Sequence, residues 1–520
     1  MAQRAVAISP VAGIGAATCV VVLILAALGA VLSRADLVAG LRLSAADWAA
    51  IRFTVSQAAV SALLSVILAI PVARALARRR FVGRAALVTL LGAPFILPVI
   101  VAVLGLLTVF GRNGWANDAL DAVGLPQVSI YGFHGVVLAH VFFNLPLATR
   151  LLLQGWQQIP AERFRLGAQL RLTPRAMFRA VELPMLAQVV PGVAALIFAI
   201  CLTSFAVALT LGGGPRATTV ELAIYQAFRF DFDLGRAALL SVVQLVLAGG
   251  LSLLALQFVP QISVGGGLDR AVMRWDAGGR GRRVLDTGVI ALAATFLLLP
   301  LTAVILRGAV GLPQMPGSVW YAAGVSIAVA GASIVVMLAL ALPMAGWIAI
   351  RRGGGTEAVG LLGLSASPLM IGTGWFILIN PVADPFDFAL PVTIAVNAMM
   401  ALPFALRTLV PPMRDTVATY GRLSASLRLR GWRFWRIVLL PRLRAQIGFA
   451  AGLTGALSMG DLGVIALFAD PERVTLPLQM YRLMGAYRME AAAGAALLLL
   501  ALSLGVFWLC DKGGRWRAEA

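Results

Sequence analysis

Lysine occurs once in this 520-residue chain, at Lys512, and histidine twice, at His134 and His140. The single lysine, in Asp-Lys-Gly, rules out a Gly-x-x-x-x-Gly-Lys-Ser/Thr phosphate loop, so any ATP-driven process needs an ATPase on another polypeptide. The most phosphate-loop-like run, Gly212-Gly213-Gly214-Pro215, lacks that lysine and reads as a turn at a helix end. Histidines six residues apart do not share a helix face, and no Glu joins them in a His-Glu-x-x-His arrangement. Cysteine is almost as scarce: Cys19, Cys201 and Cys510 lie inside apolar blocks with no partner at metal-ligand spacing. The sequence thus offers no metal site, and no acid–base cluster of the kind a membrane-embedded enzyme requires.

Charge is sparse too. Charged residues make up 12% of the chain and hydrophobic ones 60%, against roughly 25% charged in a soluble domain. The apolar residues come in long blocks separated by short basic segments, the pattern of an all-α polytopic membrane protein. The net charge of +20 does not point to nucleic acid, because the arginines sit between apolar spans rather than on one soluble face. Block lengths predict about twelve transmembrane helices, near 11–32, 51–77, 85–110, 132–153, 189–211 and 237–259, then 284–306, 321–350, 358–379, 388–410, 446–468 and 491–509. The first run is too long for a signal-peptide core and reads as an uncleaved span. Most of the 42 basic residues fall on one side of this arrangement, which predicts cytoplasmic N- and C-termini.

The chain repeats itself. Ala161–Pro184 returns as Ala418–Pro441: one offset of 257 residues aligns Arg165 with Arg422, Arg171 with Arg428, Arg179 with Arg436 and Pro184 with Pro441. The same offset pairs Leu145-Pro146 with Leu402-Pro403. Nearer each N-terminal part the offset grows, pairing Pro71 with Pro343 and Pro94 with Pro368, which places extra residues of the first copy in the outer loop 111–131. The expected organisation is a first repeat over 1–260, a Gly- and Arg-rich cytoplasmic linker over 261–283 and a second repeat over 284–520. Six spans in each make them parallel repeats, related by a pseudo-twofold along the membrane normal.

The repeated segment is the long cytoplasmic connection after the fourth span of each copy, and long ordered connections are usually functional. Leu166 and Leu170 lie one helical turn apart. Thr173-Pro174 supplies an N-cap and a first-position proline, so a second short helix restarts there, with Gly431 as the breaker in the other copy. Two short helices presented twice make a pair of docking surfaces. Their expected residues are Arg165, Leu166, Gly167, Ala168, Leu170, Arg171, Pro174 and Pro184, with Arg422, Leu423, Ser424, Leu427, Arg428, Gly431 and Pro441.

At these residues the chain resembles the permease subunits of type I ABC importers. Their loop signature runs Glu-Ala-Ala, three residues, Gly, nine residues, Ile-x-Leu-Pro. Val181-Glu-Leu-Pro184 and Val438-Leu-Leu-Pro441 match its end, while Arg165 and Arg422 stand at the Glu position and Arg171 and Arg428 at the Gly position. The likeness narrows to fused two-copy permeases for thiamine and thiamine pyrophosphate, through Pro94-Phe-Ile-Leu-Pro98, Leu138-Ala-His-Val-Phe-Phe-Asn-Leu-Pro146, the run Leu211–Gln226, Gly460-Asp-Leu-Gly-Val-Ile-Ala-Leu-Phe468 and Leu476-Pro-Leu-Gln-Met-Tyr481. It implies a coupling helix in each loop, a cytoplasmic ATP-binding subunit as a homodimer carrying ATP and Mg, and a periplasmic substrate-binding protein. It also implies a bacterial inner-membrane location and no catalytic residue or cofactor in this chain. Fused ferric-iron permeases share the layout and are the alternative. A proton-coupled secondary transporter is the rival class, but it needs titratable groups within the membrane, and few are present.

Candidate pathway or outer-face residues are Asp461, the clearest carboxylate near an apolar span, with His140, Glu221, Tyr225 and Trp375. Glu221 reads as part of the outer loop 212–236. The aromatic residues could attract a thiazolium cation over their ring faces, against the commoner reading as an interfacial belt.

Overall fold

The computed structural model describes residues 10–34, 43–92, 96–214, 217–258, 278–350, 367–429, 431–468 and 473–516, and among them every regular element is helical. The first part holds α1 (Pro10–Arg34), α2 (Ala45–Arg78), α3 (Arg84–Leu90), α4 (Val99–Phe110), α5 (Trp115–Ala122), α6 (Phe133–Gln158), α7 (Ala161–Gln169), α8 (Pro174–Met177), α9 (Leu183–Leu202), α10 (Ala206–Leu211), α11 (Val220–Arg229) and α12 (Leu234–Phe258). The second holds α13 (Arg280–Gly311), α14 (Gly317–Ile350), α15 (Pro368–Ile379), α16 (Ala389–Ser426), α17 (Arg444–Met459), α18 (Gly463–Leu467), α19 (Leu476–Gly485) and α20 (Met489–Arg515). Among the described residues, ten helical segments are long and apolar enough to cross a membrane, and Leu234–Gly250 and Pro368–Ile379 are shorter apolar helices. The chain is an all-α polytopic membrane protein.

α2 shows why these sequences settle in lipid. Thr54, Gln57, Ser61 and Ser65 are buried and form one stripe, while Leu63, Leu64, Ile67 and Leu68 face outward. The polar stripe is used: Gln57 Nε2 donates to Cys201 O at 3.0 Å, and Ser61 Oγ lies 3.4 Å from His140 Nδ1. Apolar side chains gain nothing by hiding from lipid, so helices associate through small and polar residues instead.

Packing is duplicated. α2, α6 and α9 pack on one another, as do α14, α16 and α17; α9 also meets α12, and α17 meets α20. The first helix of each part crosses over: α1 lies on α14 and α15, and α13 lies on α2 and α4. Two glycines set the closeness of these crossings. A Cβ on Gly105 would stand 2.6 Å from Pro300 O, and one on Gly374 2.3 Å from Ala27 O. Gly105 and Gly374 are each the seventh residue of a 12-residue helix, so Val99 pairs with Pro368. This corrects the pairing of Pro94 with Pro368; Pro94 lies outside the described residues. The same duplication appears where Thr54 Oγ1 accepts from Val220 N and Ser326 Oγ from Leu476 N.

Several expected spans are broken. The span near 85–110 divides into α3 and α4, that near 189–211 into α9 and α10, and that near 446–468 into α17 and α18. The last two break at Thr203–Phe205 and Gly460–Leu462, where polar and small residues interrupt the apolar run. Of the expected linker 261–283, residues 261–277 lie outside the described set, and Arg280–Arg283 already form the first turn of α13. The extra residues of loop 111–131 form α5. Its buried Asn117 donates to Gly111 O (2.8 Å) and Val128 O (3.0 Å) and accepts from Val128 N (2.9 Å).

Candidate functional site

The repeated segment forms the same cap twice. In the first copy Arg171 N donates to Ala168 O (3.1 Å) and Leu172 N to Gly167 O (3.0 Å); in the second, Arg428 N donates to Ala425 O (3.1 Å) and Leu429 N to Ser424 O (2.9 Å). These paired bonds are a Schellman motif, which satisfies the last carbonyls of a helix by turning one residue left-handed. That residue is arginine in both copies, at φ 47° for Arg171 and 52° for Arg428. The signature's glycine position is thus, in each loop, a place where the backbone favours glycine.

The cap fixes what each loop shows to solvent. Leu166 and Leu170 are 55% and 62% exposed, and Leu423 and Leu427 are 56% and 61% exposed. Arg165, Arg171, Arg422 and Arg428 are exposed alongside, while Gly167 and Ser424 are buried behind; Ala168 is exposed. Beyond the cap, Met177 and Phe434 hold matching positions and are wholly buried, anchoring each segment to the helices beneath. Thr173 Oγ1 accepts from Ala176 N at 3.2 Å with Pro174 following, the cap expected from the sequence, whereas Gly431 enters its turn at φ 57° without a side-chain cap. Both segments then widen into one π turn, Phe178–Glu182 and Trp435–Leu439, before exposed Pro184 and Pro441. Such turns cluster at functional sites.

The copies differ at the entry. The first has a break at Ile159-Pro160 between α6 and α7, but α16 runs unbroken from Ala389 to Ser426. The expectation of two short helices in each copy therefore holds only for the first. Pro160 stands at the break and Val417 at the matching place, although the unbroken helix itself runs through Pro403, Pro411 and Pro412.

At the far end of the bundle, α11 packs against α15 and α18, which brings Glu221 and Tyr225 towards Trp375 and Asp461. Glu221 is not a solvated loop residue. It is fully buried on α11, facing Ser367 and Gln244, and neither carboxylate oxygen makes a hydrogen bond of normal geometry. Burial pushes its carboxyl up to about 8. Tyr225 stacks edge-on against Phe205 (5.2 Å) and Phe230 (5.8 Å) and faces Tyr481 of α19. Asp461 Oδ1 accepts from Gly463 N at 3.1 Å and so caps α18. Trp375 is half-buried against the same core, next to Phe376, which meets Phe228, Phe386 and Phe468.

His140 stands apart, within the first three-helix core. The matching place in the second core holds Asn397, whose Nδ2 donates to Ser458 Oγ (3.0 Å), which in turn reaches Ser333 Oγ (3.2 Å). Ser61 and Cys201 match Ser333 and Ser458 in position, so His140 occupies one corner of a duplicated polar tie. Sequence reasoning missed Phe205, Tyr481 and the buried Glu182; only the last carried a signal, as the charged residue inside Val-Glu-Leu-Pro.

No family profile matches the chain. Whole-chain relatives do. A thiamine transport system permease protein of Escherichia coli (strain K12) is 42% identical over 479 residues, covering 89% of each chain. Proteins of the same name from Brucella abortus and Haemophilus influenzae are 40% and 33% identical, over 91% and 87% of this chain and 89% and 86% of their own. Identity of that extent runs through both copies of the loop and the helices that carry them, and the chain belongs to the family of thiamine transport system permease proteins.

Proposed function

We propose that this chain is the membrane-spanning permease of an ATP-driven importer that carries thiamine or its phosphate esters from the periplasm to the cytoplasm. The observation that carries the reading is the twice-built loop: a Schellman-capped helix end showing two leucines and flanking arginines, each seated on a buried Met177 or Phe434. Four leucines exposed outside lipid in two matched pairs are surfaces awaiting a partner. A dimeric ATP-binding subunit fits two such surfaces, and ATP and Mg belong to it; this chain has no cofactor of its own.

On this reading the chain comprises repeats 1–260 and 284–520 joined by the cytoplasmic linker 261–283. It lies in the bacterial inner membrane with both termini cytoplasmic, which puts the loops on the ATPase side. The far end then faces a periplasmic binding protein. Glu221, Asp461, Tyr225 and Trp375 line the path of an aromatic cation, held over ring faces beside the two carboxyl groups; His140 completes the candidate set from within the first core. Closure of the ATPase rocks one half against the other about the crossings at Gly105 and Gly374.

The test is uptake of radiolabelled thiamine into proteoliposomes. ATP-dependent uptake only when permease, ATPase and binding protein are all present supports the mechanism and the substrate. Uptake by the permease alone under a proton gradient overturns the mechanism. ATP hydrolysis that ignores thiamine and responds to ferric iron keeps the architecture and removes the substrate.

A further inference from the structure

Beneath the first loop, charged side chains from three segments form a continuous train. Glu182, the last residue of the π turn, is fully buried. Its Oε2 accepts from Arg74 Nε (2.7 Å) and lies 2.6 Å from Arg74 Nη2, and its Oε1 accepts from Trp156 Nε1 (3.2 Å). Arg78, with a side chain only 6% exposed, reaches both ways: one guanidinium nitrogen is 3.9 Å from Glu182 Oε2 and the other 3.9 Å from Asp286 Oδ1. Arg79 Nε closes the train on Asp286 Oδ2 at 2.7 Å. Arg74 also lies over the Phe178 ring, 4.6 Å from its centre. Asp286 belongs to α13, the helix that crosses from the second half onto α2. The train therefore runs from the first loop, through the end of α2, into the opposite half.

Among the described residues the second loop shows no matching train; Arg351, at the place of Arg79, lies outside them. The offset that pairs the loops puts Leu439 at the place of Glu182, and the register of α2 with α14 puts Gly346 and Ile350 at those of Arg74 and Arg78. The crossing that matches Ala27 with Pro300 puts Gly13 at the place of Asp286. Leu439 is wholly buried, as are Phe434 and Leu443 near it. An apolar seat has no preferred direction and can slip, whereas buried ion pairs hold only in one geometry and are strongly disfavoured when one partner is lost.

We propose that Glu182, Arg78 and Asp286 are positioning residues for energy coupling, which make the two loops mechanically unequal. The first loop is a rigid arm whose displacement is passed through α2 into α13 of the other half. The second turns on an apolar bearing and works mainly through its own half. The inference rests on the importer reading above.

The test reconstitutes the complete complex in proteoliposomes and measures ATP hydrolysed per thiamine taken up. Wild-type complex that shows no ATP-driven uptake removes the importer reading and this proposal together. With coupled wild type in hand, Glu182→Gln, which keeps an acceptor for Trp156 but loses the charge, raises the ratio about fivefold, the low end of ordinary coupling. Leu439→Met at the matching place leaves it unchanged. Asp286→Asn and Asp286→Glu decide the matter if Glu182→Gln fails to assemble: the amide uncouples while the carboxylate retains coupling, both variants co-purifying with the ATPase. An unchanged ratio in Asp286→Asn, or an equal rise in Leu439→Met, overturns the proposal.

Discussion

Arg171 and Arg428 each hold a left-handed backbone with a full side chain attached, at φ 47° and 52°. That conformation costs an L-residue roughly 1–2 kcal/mol, which glycine avoids. Arg171→Gly and Arg428→Gly are therefore expected to tighten their caps. Hydrogen exchange at the Leu172 and Leu429 amides, the outer bonds of the two caps, should slow roughly fivefold, the factor that about 1 kcal/mol carries. Faster exchange in either variant would mean that the arginine side chain stabilises the turn by contacts outweighing its backbone strain. Glu221 gives a second expectation with a pH signature. Its carboxyl, raised from 4.5 to about 8 by burial, keeps in the folded state a proton that the unfolded chain releases. Stability contributed by that proton is present at acid pH, declines as pH rises above the ordinary value, and is gone above pH 8. Glu221→Gln should accordingly melt higher than wild type at pH 8, on the order of 5 °C, and level with it near pH 4. A gain in melting temperature joined to a loss of thiamine uptake would mark Glu221 as a pathway residue held at a cost in stability.

The crossings α4 over α13 and α15 over α1 are elements on which the two halves meet closely. Neither Gly105 nor Gly374 has room for a side chain, since the facing atoms are backbone carbonyls that cannot rotate away. Gly105→Leu and Gly374→Leu should each lower stability in detergent by about 1–3 kcal/mol, read as an earlier thermal transition; the same change at Gly249, which has open space around it, is the comparison and should leave the transition in place. Equal melting of all three variants would show that the crossings open easily. At this scale the sequence was informative in proportion to how local its signals were. The paired loops were legible because Leu166, Leu170, Leu423 and Leu427 follow helical spacing and recur at one offset. The divided spans were not, because apolar length adds up across a break: the polar and small residues at Thr203–Phe205 and Gly460–Leu462 are too few to end an apolar block. The unbroken α16 was hidden too, since it runs through Pro403, Pro411 and Pro412, residues that read as breakers in the sequence. Pairing Pro94 with Pro368 failed for the same kind of reason: prolines mark kinks, whereas the register is set by the glycines that touch the opposite half. Glu182 stood out only as a charge inside Val-Glu-Leu-Pro, and its partnership with Asp286 was beyond reach, because only the crossing of α13 onto α2 brings the two to either side of Arg78.

At the scale of the whole molecule, the two ends of the bundle are differently dressed. The loop end shows leucines flanked by arginines; the far end shows aromatic residues beside carboxylates. Phe232, 77% exposed, follows α11, and Tyr487, 92% exposed, follows α19. Each is held left-handed, at φ 51° and 58°, by a turn whose amides fold back on the preceding helix: Asp233 N to Ala227 O beside Phe232, and Arg488 N to Leu483 O beside Tyr487. A large ring left exposed on a strained turn packs little against its own chain, and large aromatic anchors of this kind dominate binding interfaces. Their placement after matching helices gives one anchor to each half, and on the proposed reading a periplasmic binding protein seats on both. Phe232→Ser and Tyr487→Ser should therefore leave ATP hydrolysis by the permease–ATPase complex alone unchanged. Each should raise the concentration of binding protein needed for half-maximal uptake by about tenfold or more, the effect of losing roughly 1.4 kcal/mol at an interface. The double variant should do so by close to the product of the two, because anchors on opposite halves share no neighbours. A titration that shifts for one variant only would place the binding protein on a single half, and no shift in either would move its seat to the Tyr131 and Val128 side of the outer loop.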